Sequence, residues 1–197
     1  LNEEVVHGIP RKDRILHQGD VVGLDIGMWY PGVPQARDDR KRETTGSSRR
    51  SLVTDMAVTI GIGVLSPEAQ RLIEMTKQSL DIGIMQVKPG ATVGDIGNAI
   101  ERFLKKNNLG IVRDLAGHGV GYELHEEPLI PNYGAKGKGA ELKEGMVIAI
   151  EPMATLGDWH VVLADDQWTF KTADNSLGAH FEHTMAVTRE GAEVLTK

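Results

Sequence analysis

The chain has 197 residues, enough to bury a sizeable core in one domain or two small ones. Its 22 Lys+Arg against 28 Asp+Glu leave a formal charge of -6, which argues against a nucleic-acid partner, and without Cys it has neither disulfides nor thiolate metal sites. No apolar run approaches the roughly 18 residues of a membrane span and no signal-peptide pattern opens the sequence, so a soluble, cytoplasmic protein with no membrane partner is expected.

Residues 20 to 30, DVVGLDIGMWY, alternate: Val22, Leu24, Ile26 and Met28 share one face, and Gly23, Asp25 and Gly27 the other. That predicts a strand with an acid on its less bulky face. Residues 37 to 50, RDDRKRETTGSSRR, are dense in charge without a large apolar side chain. They read as part of a solvated insertion at 35 to 50, dispensable to the core. The strand pattern returns at 52 to 62, LVTDMAVTIGI, where Met56, Val58 and Ile60 oppose Val53, Asp55, Ala57 and Thr59. Ser66 before Pro67 starts a helix whose buried stripe is Ala69, Leu72, Ile73, Thr76 and Leu80. KPGATVGD (88 to 95) ends it and opens a second helix, with Thr92 and Asp95 as a capping pair. Ile96, Ala99, Ile100, Phe103 and Leu104 supply its apolar face, and NNLG (107 to 110) closes it. Two further strands are predicted, GMVIAIEPM (145 to 153) and GAHFEHTMAVT (178 to 188). In the first, Met146, Ile148 and Ile150 oppose Val147, Ala149 and Glu151; in the second, Phe181, His183, Met185 and Val187 oppose Glu182, Thr184 and Ala186.

Each of the four strands thus carries one acid, Asp25, Asp55, Glu151 or Glu182, away from its large apolar side chains. A single acid on a solvated strand face is ordinary. Four in apolar contexts are not, because VIAIEPM and HFEHTMAV read as central strands and a buried carboxylate needs a cation or hydrogen bonds. No surplus of Arg or Lys adjoins them, so a metal is the simplest partner. Four carboxylates and one imidazole make a hard, oxygen-rich set suited to two divalent ions about 3.5–4 Å apart. The supply of imidazoles is small, since the chain has seven His. Two of them, His118 and His125, fall in DLAGHGVGYELHEEP (114 to 128) among Gly117, Gly119 and Gly121, residues that weaken a regular element. His17 and His160 read as ordinary surface residues. His183 suits support of a ligand better than ligation, because it faces away from Glu182. YGAKGKGAEL (133 to 142) lacks the glycine spacing of a phosphate loop and reads as a plain loop.

NEEVVHGIP, GHGVGYELHEEP, LKEGMVIAIEPM and DDQWTFKTADNSLGAHFEHTMAVT together resemble the motifs of type I methionine aminopeptidases. The resemblance runs from residue 1 to about 188, broken by the charged insertion. It implies an α+β pita-bread fold, a curved antiparallel sheet with helices on its outer face, as one catalytic domain over 1–197. It implies that Asp25, Asp55, His118, Glu151 and Glu182 bind two divalent ions, with Asp25 on one, Asp55 and Glu182 bridging, and His118 and Glu151 on the other. Co, Mn, Fe and Zn all suit such ligands. His125 becomes a non-ligand that hydrogen-bonds the substrate carbonyl, His7 contacts the substrate from the opposite side, Trp168 walls the site, and Glu151 shuttles the proton. The reaction implied is removal of the N-terminal methionine before a small second residue, by water activated between the two ions.

The expected partner is a peptide or nascent polypeptide starting with Met, with a ribosome contact left open and a monomer expected. The sequence begins at Leu1, inside the family pattern, so the resemblance implies a missing upstream α-α-β unit and an incomplete pocket wall. The family's two Asp ligands flank one short turn, whereas here Asp25 and Asp55 are separated by the insertion. Asp38 and Asp39 compete for the second role, and Asp55 is preferred because TDMAVT has the strand pattern. A proline-specific aminopeptidase or dipeptidase of the same fold is the rival enzyme, and a non-catalytic binding protein on that scaffold the rival class.

Overall fold

A computed structural model describes residues 1–33 and 50–196 of the chain. Apart from Arg50, the insertion expected at 35 to 50, with Asp38 and Asp39, lies outside the described residues. In chain order the elements are β1 (Glu4–Val6), β2 (Val21–Val33), β3 (Arg50–Gly61), α1 (Pro67–Ile84), α2 (Val93–Lys106), β4 (Gly110–Ile111), β5 (Ala116–Gly119) and β6 (Glu126–Pro131). They continue with β7 (Val147–Ile150), β8 (Met153–Thr155), β9 (Val161–Leu163), β10 (Phe170–Thr172), β11 (Gly178–His180), β12 (Glu182–Thr188) and β13 (Gly191–Val194). The largest sheet is antiparallel in the order β2-β3-β12-β7-β5-β6, with β13 also beside β12, and two three-stranded sheets run β1-β10-β9 and β11-β8-β4.

Both predicted helices form, and their starts follow local chemistry. The Ser66 side chain accepts from Ala69 N–H with proline in the first turn, and Thr92 and Asp95 close a reciprocal capping box. The loop at 133 to 142 also serves this end of α2: the carbonyls of Ala140 and Lys138 accept from Val93 and Gly94 N–H. Those carbonyls satisfy backbone donors that a helix N-terminus leaves free. Leu72 and Leu80 of α1 and Ile96, Ile100 and Leu104 of α2 join Ile148, Ile150, Met185 and Val187 of the sheet in one buried cluster. The helices therefore cover the face carrying the large apolar side chains of β7 and β12. Alternation leaves Ala149, Glu182 and Thr184 for the opposite face.

The two strands expected at 145 to 153 and 178 to 188 are present, but each is broken in two. The first divides into β7 and β8 around Glu151 and Pro152, and the second into β11 and β12 at Phe181. Pro152 has no N–H to give to a ladder. The breaks sit side by side, since Phe181 N–H donates to Pro152 O at 3.3 Å. On one side of this crease β12 pairs with β7, on the other β11 pairs with β8 in a different sheet. Glu151 and Glu182 stand at the crease itself.

Among the described residues β2 is an edge strand, and its Leu24, Ile26, Met28 and Asp25 are all exposed. Among the described residues no helix is long and apolar enough to cross a membrane.

Candidate metal centre

Strand register alone brings the five acids and imidazoles of interest to one face. Asp25 pairs with Ala57 and Ala57 with Glu182, while His183 pairs with Ile150, which sets Glu151 opposite Glu182 one step beyond the end of β7. Two residues along, Gly27 pairs with Asp55, Thr184 with Ala149, and Ala149 with His118. Directly opposed residues share a face, so Asp25, Glu182 and Glu151 form one row and Asp55 and His118 the next. Although thirty positions apart in the chain, Asp25 and Asp55 are diagonal neighbours on paired strands.

Ligand-capable atoms of Asp55, His118 and Glu182 all lie within 4.8 Å of one another. Glu182 is 2% exposed and its Oε1 has no hydrogen-bond partner among the described residues; Asp55 is 8% exposed. Burial and the nearby carboxylates of Glu151, Asp55 and Asp25 push the Glu182 carboxyl up to about 10. Burial and then Asp25 raise Asp55 to about 6, against a partial lowering by His118. No ion pair among the described residues brings Lys or Arg to these four carboxylates. Asp55 and Glu182, held out of water without such a cation, fit divalent metal.

The histidine geometry fits the same assignment. The His118 Nδ1 lies 2.9 Å from Gly119 O, so its N–H can donate there and leave Nε2 as a free lone pair; Nε2 lies 3.7 Å from Glu151 Oε1. The flanking glycines have a packing reason: a Cβ on Gly117 would clash with Ala149 O and one on Gly119 with Glu127 O. Despite its glycines β5 is a strand, squeezed between β7 and β6, with its register against β6 shifting between Gly117 and Gly119. His125 sits edge-on to His118 with ring centroids 4.4 Å apart, and burial followed by His118 holds its pKa below the usual imidazole range.

His7 and Trp168 come together as well, stacked at 5.5 Å. His7 has a left-handed φ of 60°, uncommon for a non-glycine residue and frequent at functional sites. Both line a cavity of about 570 Å³ that also touches Val6, Gly23, Asp25 and His180. His17 and His160 lie apart from this group, each near an exposed or partly exposed aspartate, Asp20 and Asp158. His183 is on the opposite face, its Nδ1 3.1 Å from Thr196 Oγ1.

Three features went unread in the sequence. Thr184 Oγ1 accepts from Asp55 N–H and donates to Asp55 O, both at 2.8 Å. Four residues away on each strand, Thr59 Oγ1 donates to His180 O at 2.6 Å and accepts from His180 N–H at 2.9 Å. These two buried hydroxyls stitch β3 to β12 and β11 on either side of the short Ala57 and Met56 pairing. The third is Asn132, whose Nδ2 donates to Glu151 O at 2.9 Å. Buried Thr in a β-strand was the available signal for the first two, and Asn132 carried none.

Residues 44–189 match the model of metallopeptidase family M24. The chain is 41% identical over its whole length to a methionine aminopeptidase of Mycoplasma capricolum, spanning 71% of that relative. The crystal structure of a methionine aminopeptidase from Thermotoga maritima superposes with a TM-score of 0.87 at 41% identity, over all of this chain and 71% of that one. Likeness falls for a dipeptidase PepE of Mycobacterium ulcerans, with a TM-score of 0.67 at 26% identity over 94% of this chain and 40% of that one.

Proposed function

The chain belongs to metallopeptidase family M24, among its methionine aminopeptidases, and from that premise we propose that it removes N-terminal methionine before a small second residue. It is a metallo-aminopeptidase with the pita-bread fold. The observation that carries the proposal is one sheet face that gathers Asp25, Asp55, His118, Glu151 and Glu182, with Glu182 Oε1 buried and unpartnered. These five residues would hold two divalent ions. Bound divalent ions supply Lewis acidity, which lowers the pKa of water toward neutrality and polarises a carbonyl.

The other groups divide the remaining work. His125, beside His118, donates an N–H to the substrate's carbonyl oxygen as negative charge develops there. Its depressed pKa keeps it from repelling nearby cations at neutral pH. Glu151 takes a proton from the attacking water and returns it to the leaving amine as the C–N bond breaks. His7 and Trp168 flank the cavity that receives the methionine side chain, and the cavity's reach to Asp25 brings the substrate's free amine toward the carboxylates. Acting on nascent chains, the enzyme works in the cytoplasm.

Elemental analysis after equilibration with Mn²⁺ should find about two ions per chain. Met-Ala-Ser should then lose methionine, while Pro-Ala-Ser stays intact. A chain that retains no metal, or releases proline as fast as methionine, overturns the proposal.

A further inference from the structure

Glu151 lies between two imidazoles. His118 Nε2 is 3.7 Å from its Oε1, and His180 Nε2 is 3.4 Å from its Oε2. His118 already has a place among the metal-binding groups. His180 has none: it stands outside the Asp55, His118 and Glu182 cluster, is 3% exposed, and its Nε2 is buried without a hydrogen bond among the described residues. A buried imidazole nitrogen with nothing to bond costs free energy unless a partner arrives. The backbone around it is fixed, since Thr59 Oγ1 holds both His180 O and His180 N–H, and His180 pairs with Met153 across β11 and β8. Two residues before Glu182, His180 falls on the same face of the sheet, where Glu151 stands opposite Glu182.

We infer that His180 is a positioning residue that donates its Nε2–H to Glu151 Oε2 and thereby leaves Oε1, on the His118 side, as the oxygen offered to metal. The inference rests on the metal-centre reading above. A small rotation of the Glu151 carboxylate closes 3.4 Å to the roughly 2.9 Å of a hydrogen bond. Asn132 Nδ2 holds the Glu151 carbonyl and Phe181 N–H the next one, of Pro152, so the rotation needed is that of the side chain. Hydrogen bonds to ligating groups fix their orientation and raise their affinity for the ion.

Glutamine and asparagine separate this role from simple filling of space. In His180→Gln the amide reaches the place of Nε2 and can still donate; in His180→Asn it reaches only the place of Nδ1. Titration of the full chain with Mn²⁺ by calorimetry should show His180→Asn weakened about 10–100-fold and His180→Gln within about threefold of the unaltered chain. The melting temperatures of the two metal-free variants, measured alongside, should agree. Equal Mn²⁺ affinity in all three chains overturns the positioning role. Loss of one ion per chain in both variants also overturns it, making His180 a ligand. Failure of the unaltered chain to bind Mn²⁺ overturns the metal-centre reading itself and this inference with it.

Discussion

At the rim of the large sheet, β2 leaves Asp25 open to solvent beside the uncovered side chains of Leu24, Ile26 and Met28. Two strands inward, β12 seals Glu182 between β3 and β7. Both acids come from the same local pattern, one carboxylate on the small-residue face of an alternating strand. Position in the sheet separates them. The inner acid loses its hydration and is pushed to about 10, whereas the rim acid acts chiefly by raising its neighbours. One face of one sheet therefore offers a dry anchor and a wet one.

Removing the anchor should have the largest effect. Glu182→Ala or His118→Ala should abolish stoichiometric metal binding, read by elemental analysis after dialysis, and with it peptide cleavage. Metal content equal to that of the unaltered chain would break the contrast. His125→Ala removes a group at the solvent side of His118 and should lower kcat about 10²–10³-fold with metal retained. Loss of metal there would mean that the two histidines had exchanged roles. Asp25→Asn should be milder still. Its rim position predicts weaker metal affinity with the metal-free stability changed by no more than about 0.5 kcal/mol, whereas a large drop in thermal stability would make Asp25 part of the core.

The comparison is sharpened further through pH. Asp55 and Glu182 have folded-state pKa values raised from 3.8 to about 6 and from 4.5 to about 10. The folded protein thus keeps protons that the unfolded chain has released. Their contribution to stability is complete below about pH 4 and lost as pH rises through 6 and then 10. The metal-free melting temperature should fall between about pH 5 and 9. Mn²⁺ should then restore stability and release about one proton at pH 7, chiefly from Glu182. Calorimetry in buffers of different ionisation enthalpy measures that proton, and a release of none would show Glu182 already ionised.

Much of this was legible in the sequence because alternation and capping are local. The two helices, the strand pairs around Asp25 and Asp55, and the shared face of the four acids follow from side chains within a few residues of each other. The remainder depends on partners far apart in the chain. Nothing near Thr184 announces that its hydroxyl will hold Asp55, and Ala116–Gly119 is a strand because β6 and β7 close upon its glycines. Alternation set His183 facing away from Glu182 and leaves His180, two residues before Glu182, on the same face as that acid, but the approach of His180 to Glu151 depends on a separate strand and could not be read from its neighbours. The exposure of Asp25 was hidden for a similar reason, since a strand's own residues do not record whether it has one neighbour or two.

The double break at Pro152 and Phe181 also sets what could be moved to another protein. Because two adjacent strands bend at the same level, the spacing of Glu151 and Glu182 is a property of that corner and not of either strand. Copying the five side chains onto a flat sheet would reproduce their identities and lose their convergence. The smallest transferable unit is the bent pair itself, Ile148 to Ala154 with Ala179 to Met185, together with the threonine that clamps its outer edge.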